Sequence, residues 1–211
     1  GYEPTLDSSQ ADLVIVNTCG FIDQARAESL ETLEDLAASL TESQHLVAAG
    51  CWAQRDPDAI IGAVPRIDAV LGTRSWAQIV PLAEHLLAAV GEPTQRLIEE
   101  RLSTMPEEAH APGYVISGKS AFLKIADGCS RHCAFCAIPA IKGPAVSRDL
   151  NAILEDVRQL RDYDMLEINL IAQDATTYGV DRGERDGLAG LFERMVEVAP
   201  EIPWIRVLYA F

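Results

Sequence analysis

Short runs of β-branched and aliphatic residues alternate with amphipathic stretches along most of this chain, which restricts it to the α/β class with parallel strands. Ala11-Asp12-Leu13-Val14-Ile15-Val16 has the composition of a buried strand and leads into a turn at Asn17-Thr18-Cys19-Gly20. From Asp23 to Leu40, Ala27, Leu30, Leu33, Leu36, Ala37 and Leu40 recur at helical spacing, while Glu28, Glu31, Glu34 and Asp35 mark the opposite face. The pattern then predicts a strand from His45 to Gly50, a helix ending near Pro65, a strand from Ile67 to Gly72 and a helix from about Ser75 to Val90.

Between Gly91 and Ser120 the periodicity gives way to Pro93, Pro106, Pro112, Gly113 and Gly118, with one strand-like piece around Arg96 to Leu102. A domain boundary belongs there, giving a first domain over 1–92, a linker over 93–119 and a second domain over 120–211. The second series starts with the strand Ala121-Phe122-Leu123-Lys124-Ile125. It continues through a helix from Asn151 to Arg161, a strand from Met165 to Ile171, a helix from Leu188 to Val198 and a last strand after Pro203. Three parallel strands with crossover helices read as the start of a β/α barrel. The first residue, Gly1, and the core-like ending Trp204 to Phe211 lead to the expectation of a fragment.

Composition excludes several function classes. The chain has 211 residues and a net charge of −15, which repels phosphate backbones and suits a basic protein partner better than nucleic acid. No apolar run approaches the roughly 18 residues a membrane span needs, and no basic leader precedes an apolar stretch, so a reducing, cytoplasmic location without membrane contact is expected. Five cysteines, an odd number with three of them clustered, point to metal or redox chemistry rather than to a disulfide framework.

The clustered three lie in Cys129-Ser130-Arg131-His132-Cys133-Ala134-Phe135-Cys136, directly after the first strand of the second domain. Ligand sites in α/β sheets and barrels lie beyond the carboxyl ends of the strands, where this loop falls. Three thiolates suit an iron-sulfur cluster and leave one iron open for a substrate or cofactor. Zinc is the competing metal and would need His132 to fold back beside Cys133; unrelated buried thiols are the third reading. Lys124, Arg131, Lys142 and Arg148 outnumber Asp127 and Asp149 around the loop, a local reversal of the chain's charge that would stabilise thiolates.

The Cys-x3-Cys-x2-Cys spacing resembles the radical S-adenosylmethionine (SAM) superfamily. Lys124-Ile125-Ala126-Asp127-Gly128-Cys129 and Cys136-Ala137-Ile138-Pro139 resemble its methylthiotransferase family. Val16-Asn17-Thr18-Cys19-Gly20-Phe21 and Ala48-Ala49-Gly50-Cys51 are similar to the second and third cysteine motifs of that family's amino-terminal domain. Gln173-Asp174-Ala175-Thr176-Thr177-Tyr178-Gly179 is similar to the branch that modifies a ribosomal protein, whereas tRNA-modifying relatives usually carry Gln-Asn at this point.

The resemblance implies an α/β fold: a partial flavodoxin-like parallel-sheet domain followed by the first part of a radical SAM (β/α) barrel. It implies two 4Fe-4S clusters and SAM as cofactors. Cys129, Cys133 and Cys136 would hold the cluster that binds and reduces SAM, with catalytic roles as well as metal ligation. Cys19, Cys51 and a cysteine outside this chain would hold an auxiliary cluster carrying the sulfur to be methylated and transferred. Phe135 would lie beside the SAM adenine, with core packing as its alternative, and Gln173 would also bind cofactor, with a strand-end cap as the alternative for Gln173 and Asp174. Cys51, next to Trp52, also reads as a buried thiol. The implied reaction adds a methylthio group to the β-carbon of an aspartate in small-subunit ribosomal protein twelve, with an external electron donor.

Two rival readings are a tRNA adenosine methylthiotransferase and a non-catalytic zinc or iron-sulfur binding module. Asp174, Thr176-Thr177 and the acidic balance favour the protein substrate. The chain departs from the family pattern at Lys142-Gly143, where Arg-Gly is usual, and at Asp149, where a Pro usually follows the Ser-Arg pair. With an N-terminal cysteine, further barrel strands and a carboxyl-terminal β-domain expected outside these 211 residues, the segment alone is expected to be inactive and to hold at most the cluster on Cys129, Cys133 and Cys136. His45, His85 and His110 fall in no motif and read as structural or exposed.

Overall fold

The computed structural model describes residues 2–88, 94–98 and 113–211, which divide into one unit within Gly1–Arg101 and another within Leu102–Phe211. The first unit is built on β1 (Leu13–Thr18), β2 (His45–Gly50), β3 (Ala69–Gly72) and β4 (Gln95–Leu97), a parallel sheet in the order β1-β2-β3-β4. Between them lie the helices α1 (Asp23–Ser39), α2 (Cys51–Arg55), α3 (Pro57–Ala63) and α4 (Ile79–Ala88).

Strand alternation sends the buried side chains of this sheet to two opposite faces. Leu46, Ala48 and Val70 pack with Leu33 of α1, Trp52 and Ala53 of α2 and Ile60 of α3, whereas Val47, Ala69 and Leu71 pack with Leu82 and Leu86 of α4. The single helix expected before Pro65 is instead two short ones. Asp56 ends α2 and caps α3 by accepting from Ala59 N–H at 3.2 Å, and Pro57 at the first turn of α3 has no N–H with which to continue α2.

The second unit carries β5 (Tyr114–Ser117), β6 (Ser120–Lys124), β7 (Ala126–Asp127), α5 (Ile138–Lys142), β8 (Val146–Ser147), α6 (Leu150–Asp162), β9 (Glu167–Ile171), α7 (Gly187–Val198) and β10 (Trp204–Val207). Its main sheet runs β10-β9-β6-β5, with β6, β9 and β10 parallel and β5 returning antiparallel along β6. Ala121, Leu123, Ile168 and Leu170 bury one face of that sheet against Ile153, Leu154, Val157 and Leu160 of α6 and Leu191 and Met195 of α7. The short ribbon β7-β8 is antiparallel and stands apart from this sheet.

The stretch 93–119 that reads as a linker therefore carries β4, paired to β3, and β5, paired to β6. The strand-like piece around Arg96 begins one residue earlier, at Gln95, and its 99–102 portion lies outside the described residues. No helix among the described residues is long and apolar enough to cross a membrane.

Candidate functional site

In the first unit, the parallel ladder pairs Thr18 with Gly50, the last residues of β1 and β2. Cys19 directly follows β1 and Cys51 directly follows β2 as the first residue of α2, so both cysteines sit at the carboxyl edge of the sheet, next to a paired couple of residues. Close packing holds them there. A Cβ on Gly20 would lie 2.7 Å from the Cys51 carbonyl carbon and oxygen, and one on Gly50, whose φ is +109°, would lie 2.6 Å from Asn17 Oδ1. Glycine is required at both positions, by contact at Gly20 and by contact and backbone conformation at Gly50.

Polar contacts complete this corner. Thr18 Oγ1 donates to Ala49 O at 2.8 Å and accepts from Ala53 N–H, Ser29 Oγ accepts from Cys19 N–H at 3.2 Å, and Arg55 donates to Gly20 O at 2.8 Å. Both thiols are half-buried. His45 is buried at the other end of β2, 3.4 Å from Asp68, and His85 is exposed; neither belongs to a cysteine turn, and His110 lies outside the described residues.

In the second unit, Cys129, Cys133 and Cys136 occupy the segment between β7 and α5, just past the carboxyl end of β6. The β7-β8 ribbon and a hydrogen bond from Cys129 N–H to Gly143 O at 3.0 Å clip the base of this loop. Gly128 makes the clip possible: its φ is +76°, and a Cβ there would lie 2.2 Å from Pro144 O. Cys129 is buried, Cys133 and Cys136 are half-buried, and Cys136 N–H donates to Cys133 O at 3.0 Å. All five cysteines of the chain stand outside any disulfide.

Asp127 anchors the clip. Its carboxylate accepts from Lys124 Nζ at 2.8 Å, from Lys142 Nζ at 2.6 Å and from Gly128 N–H at 2.9 Å. Burial alone would push its pKa up, but the two ammonium groups hold the carboxyl below its ordinary range. Lys142 thus bridges the two ends of the loop, an ion pair that a monodentate ammonium can make without the fork of an arginine. Asp149, the other departure from the family pattern, caps α6 by accepting from Asn151 N–H at 2.8 Å and Ala152 N–H at 3.3 Å.

Several motif residues prove to be scaffold. Arg148 donates to Lys124 O and pairs with buried Asp156, each at 2.9 Å. Ser147 accepts from Gly179 N–H at 2.9 Å, and its own N–H donates to Asp181. Thr177 Oγ1 donates to Asp174 O at 2.9 Å within the 3-10 turn Ala175–Thr177.

Gln173 and Asp174 follow β9. Asp174 is buried and caps the turn, accepting from the Thr176 N–H at 3.1 Å, and its carboxylate pairs with Arg131 of the cysteine loop. This pair, absent from the sequence reading, joins two motifs 43 residues apart. Gln173 Oε1 is buried without a hydrogen-bond partner among the described residues, an arrangement that costs free energy until a donor reaches it. Phe135 is 85% exposed, so core packing does not account for it.

Among the described residues, no three or more His, Cys, Asp or Glu side chains are gathered to hold a single metal ion, and His132 is exposed. A 4Fe-4S cluster makes a different demand, because each thiolate bonds a different iron. The donor set on this loop, three thiols with one buried and two half-buried, fits such a cluster by its chemistry.

The fold matches a radical SAM methyltransferase, TsrM from Kitasatospora setae, solved with cobalamin and a 4Fe-4S cluster bound: the TM-score is 0.58 over 91% of this chain and 43% of that one, at 15% identity. The same enzyme solved with tryptophan and a SAM analogue gives a TM-score of 0.57 over 91% of this chain and 42% of that one, at 14% identity. At such identities the likeness is one of fold. In sequence, the chain is 39% identical over its full length to the ribosomal protein uS12 methylthiotransferase RimO of Roseiflexus sp. (strain RS-1), of which it covers 48%. It is 38% identical, again over its full length, to the RimO of Chloroflexus aurantiacus, of which it covers 49%.

The model of the uncharacterized protein family UPF0004 matches residues 1–72. The chain spans about half the length of the curated relatives it matches. The resemblance to ribosomal-protein methylthiotransferases of the RimO type, first drawn from short motifs, thus runs along the entire chain.

Proposed function

We propose that this chain is the part of a radical SAM methylthiotransferase that holds the SAM-binding cluster on Cys129, Cys133 and Cys136 and contributes Cys19 and Cys51 to an auxiliary cluster. The substrate is the small-subunit ribosomal protein uS12, modified at an aspartate β-carbon. The observation that carries this reading is the clipped loop: three cysteine thiols between β7 and α5, past the carboxyl end of β6, with the family spacing. When bound, the cluster and SAM supply the one-electron chemistry that breaks an unactivated C–H bond, for which a protein side chain has no equivalent.

The chain's own residues position and screen. Gly128 and the Cys129 N–H···O contact to Gly143 fix the start of the ligand loop, and Asp127 ties its far end through Lys142. The buried, unsatisfied Gln173 Oε1 supports a role in receiving a donor group of SAM, and the exposed ring of Phe135 supports a role in covering its adenine. A boundary between two domains inside the 93–119 stretch, after β4 and before β5, remains part of this reading, as does an external electron donor.

The test is mass spectrometry after turnover of the full-length protein, anaerobically reconstituted with iron and sulfide. It is incubated with SAM, a reductant and either small ribosomal subunits or tRNA. A methylthio mass increment on an aspartate peptide of uS12 is expected. An increment on tRNA with none on uS12 would overturn the substrate assignment, and a colourless zinc protein that leaves SAM intact would overturn the enzyme assignment.

A further inference from the structure

We infer that Asp174 is a specificity-determining residue that works through Arg131: by pairing with this guanidinium it keeps the cysteine loop from presenting a cation to a polyanion. The inference rests on the methylthiotransferase reading and concerns how a protein substrate is told from a nucleic acid. Asp174 is 2% exposed, and its carboxylate is engaged by the Arg131 guanidinium on one side and by the Thr176 N–H and hydroxyl on the other. A side chain so enclosed does not reach a substrate. The side chain it holds is the accessible one: Arg131 lies between Cys129 and Cys133, is 42% exposed, and stacks its guanidinium 5.0 Å from the centroid of the Phe211 ring.

Position 174 therefore decides the charge at this point of the loop. With Asp, the pair is electrically neutral. With the isosteric Asn, one oxygen still accepts from Thr176, but the other corner is an NH2 group facing a guanidinium, donor against donor. Arg131 would then stand unpaired on an exposed loop, and a planar guanidinium with open N–H groups is suited to bidentate contact with phosphate. The surrounding charge amplifies the difference, because a chain of net charge −15 repels a polyanion unless a local cation offsets it.

The test is fluorescence anisotropy with a labelled oligouridylate, titrated with the full-length protein at a series of salt concentrations for wild type, Asp174→Asn, Arg131→Gln and the double variant. One added phosphate contact steepens the fall of log K with log salt by about 0.7 for a single strand, so the Asp174→Asn advantage should shrink about 2.6-fold between about 50 and about 200 mM salt. The double variant should return to the wild-type slope, and Arg131→Gln alone should leave that slope unchanged.

Equal slopes for wild type and Asp174→Asn, or a steeper slope that survives in the double variant, would overturn the inference. Should Asp174→Asn fail to fold, Arg131→Gln decides by itself: a slope shallower by about 0.7 means that Arg131 already contacts phosphate in the wild type, and the inference is wrong. Binding is read without turnover, so its failure leaves the proposed reaction standing, and the mass-spectrometric test fails independently of it.

Discussion

Replacing Gly128 by alanine tests whether the base of the cysteine loop is set by backbone contact. Two separable effects act at this site. An L-residue at φ +76° costs about 1–2 kcal/mol relative to glycine. The new methyl group would also lie 2.2 Å from Pro144 O and 2.8 Å from Gly143 O, and Gly143 O is the acceptor for Cys129 N–H. Relieving that contact means moving the β8 side of the clip by about 1 Å, an overpacking cost of about 1–3 kcal/mol.

The expected destabilisation is about 2–5 kcal/mol, or a fall in Tm of about 2–4 °C per kcal/mol in a protein of this size or larger. Gly118 supplies the control. It has φ +61° in the β5-β6 turn with nothing within 4 Å of its would-be Cβ, so Gly118→Ala carries the conformational cost without the collision. Scanning calorimetry of the cluster-free full-length protein should therefore rank Gly128→Ala below Gly118→Ala, and anaerobic reconstitution should load less iron into Gly128→Ala alone. A Gly128→Ala protein that melts with Gly118→Ala and takes up the wild-type amount of iron would refute the reasoning.

Two further outcomes follow from the same loop. Asp127→Asn leaves the Lys124 and Lys142 ammonium groups without their shared counter-charge and should cost about 2–3 kcal/mol by chemical denaturation, less than the loss from a fully buried pair because Lys124 is about one-third exposed; an unchanged midpoint would show that the triad carries no stability. Phe135→Ala should leave the Tm of the cluster-free protein within the ~0.5 kcal/mol range of surface substitutions while weakening SAM binding to the reconstituted protein about tenfold by calorimetry, on the scale of one lost aromatic stacking contact; a fall of several degrees in Tm would make Phe135 a packing residue instead.

Most of the sheet architecture was legible because its signals are local. The stripe from Asp23 to Leu40 predicts α1 to within one residue, and the β-branched run ending at Val16 predicts β1, which the structure extends through Asn17 and Thr18. The cysteine turns were legible for the same reason, each beginning within two residues of the end of an apolar run. What escaped depends on partners distant in sequence or on competing local chemistry. β5 lies in a stretch dense in proline and glycine, and its Tyr114-Val115-Ile116 core is too short to stand out until it pairs with β6. The division between α2 and α3 turns on Asp56 capping one helix while Pro57 stops the other, a boundary that apolar spacing alone passes over. The Arg131–Asp174 pair requires the carboxyl end of β9 to lie beside the β7-α5 loop, and nothing in either segment's own sequence announces the other.

The pairing of Thr18 with Gly50 also insulates the first unit's cysteines from the chain that separates them. Since the hydrogen-bonded ladder pairs the residues immediately before Cys19 and Cys51, lengthening or shortening the connection between α1 and β2 would change the path of the chain without changing that pairing. The exposed turn at Glu42-Ser43 is accordingly a place where a reporter peptide or a natural insertion can be accommodated. A single residue added inside β2, by contrast, would shift the register and move Cys51 by one rise, about 3.3 Å, along the sheet edge. Tolerance to insertion and intolerance to slippage thus sit within a few residues of each other, and they predict where sequence length is free to drift in proteins built on this ladder.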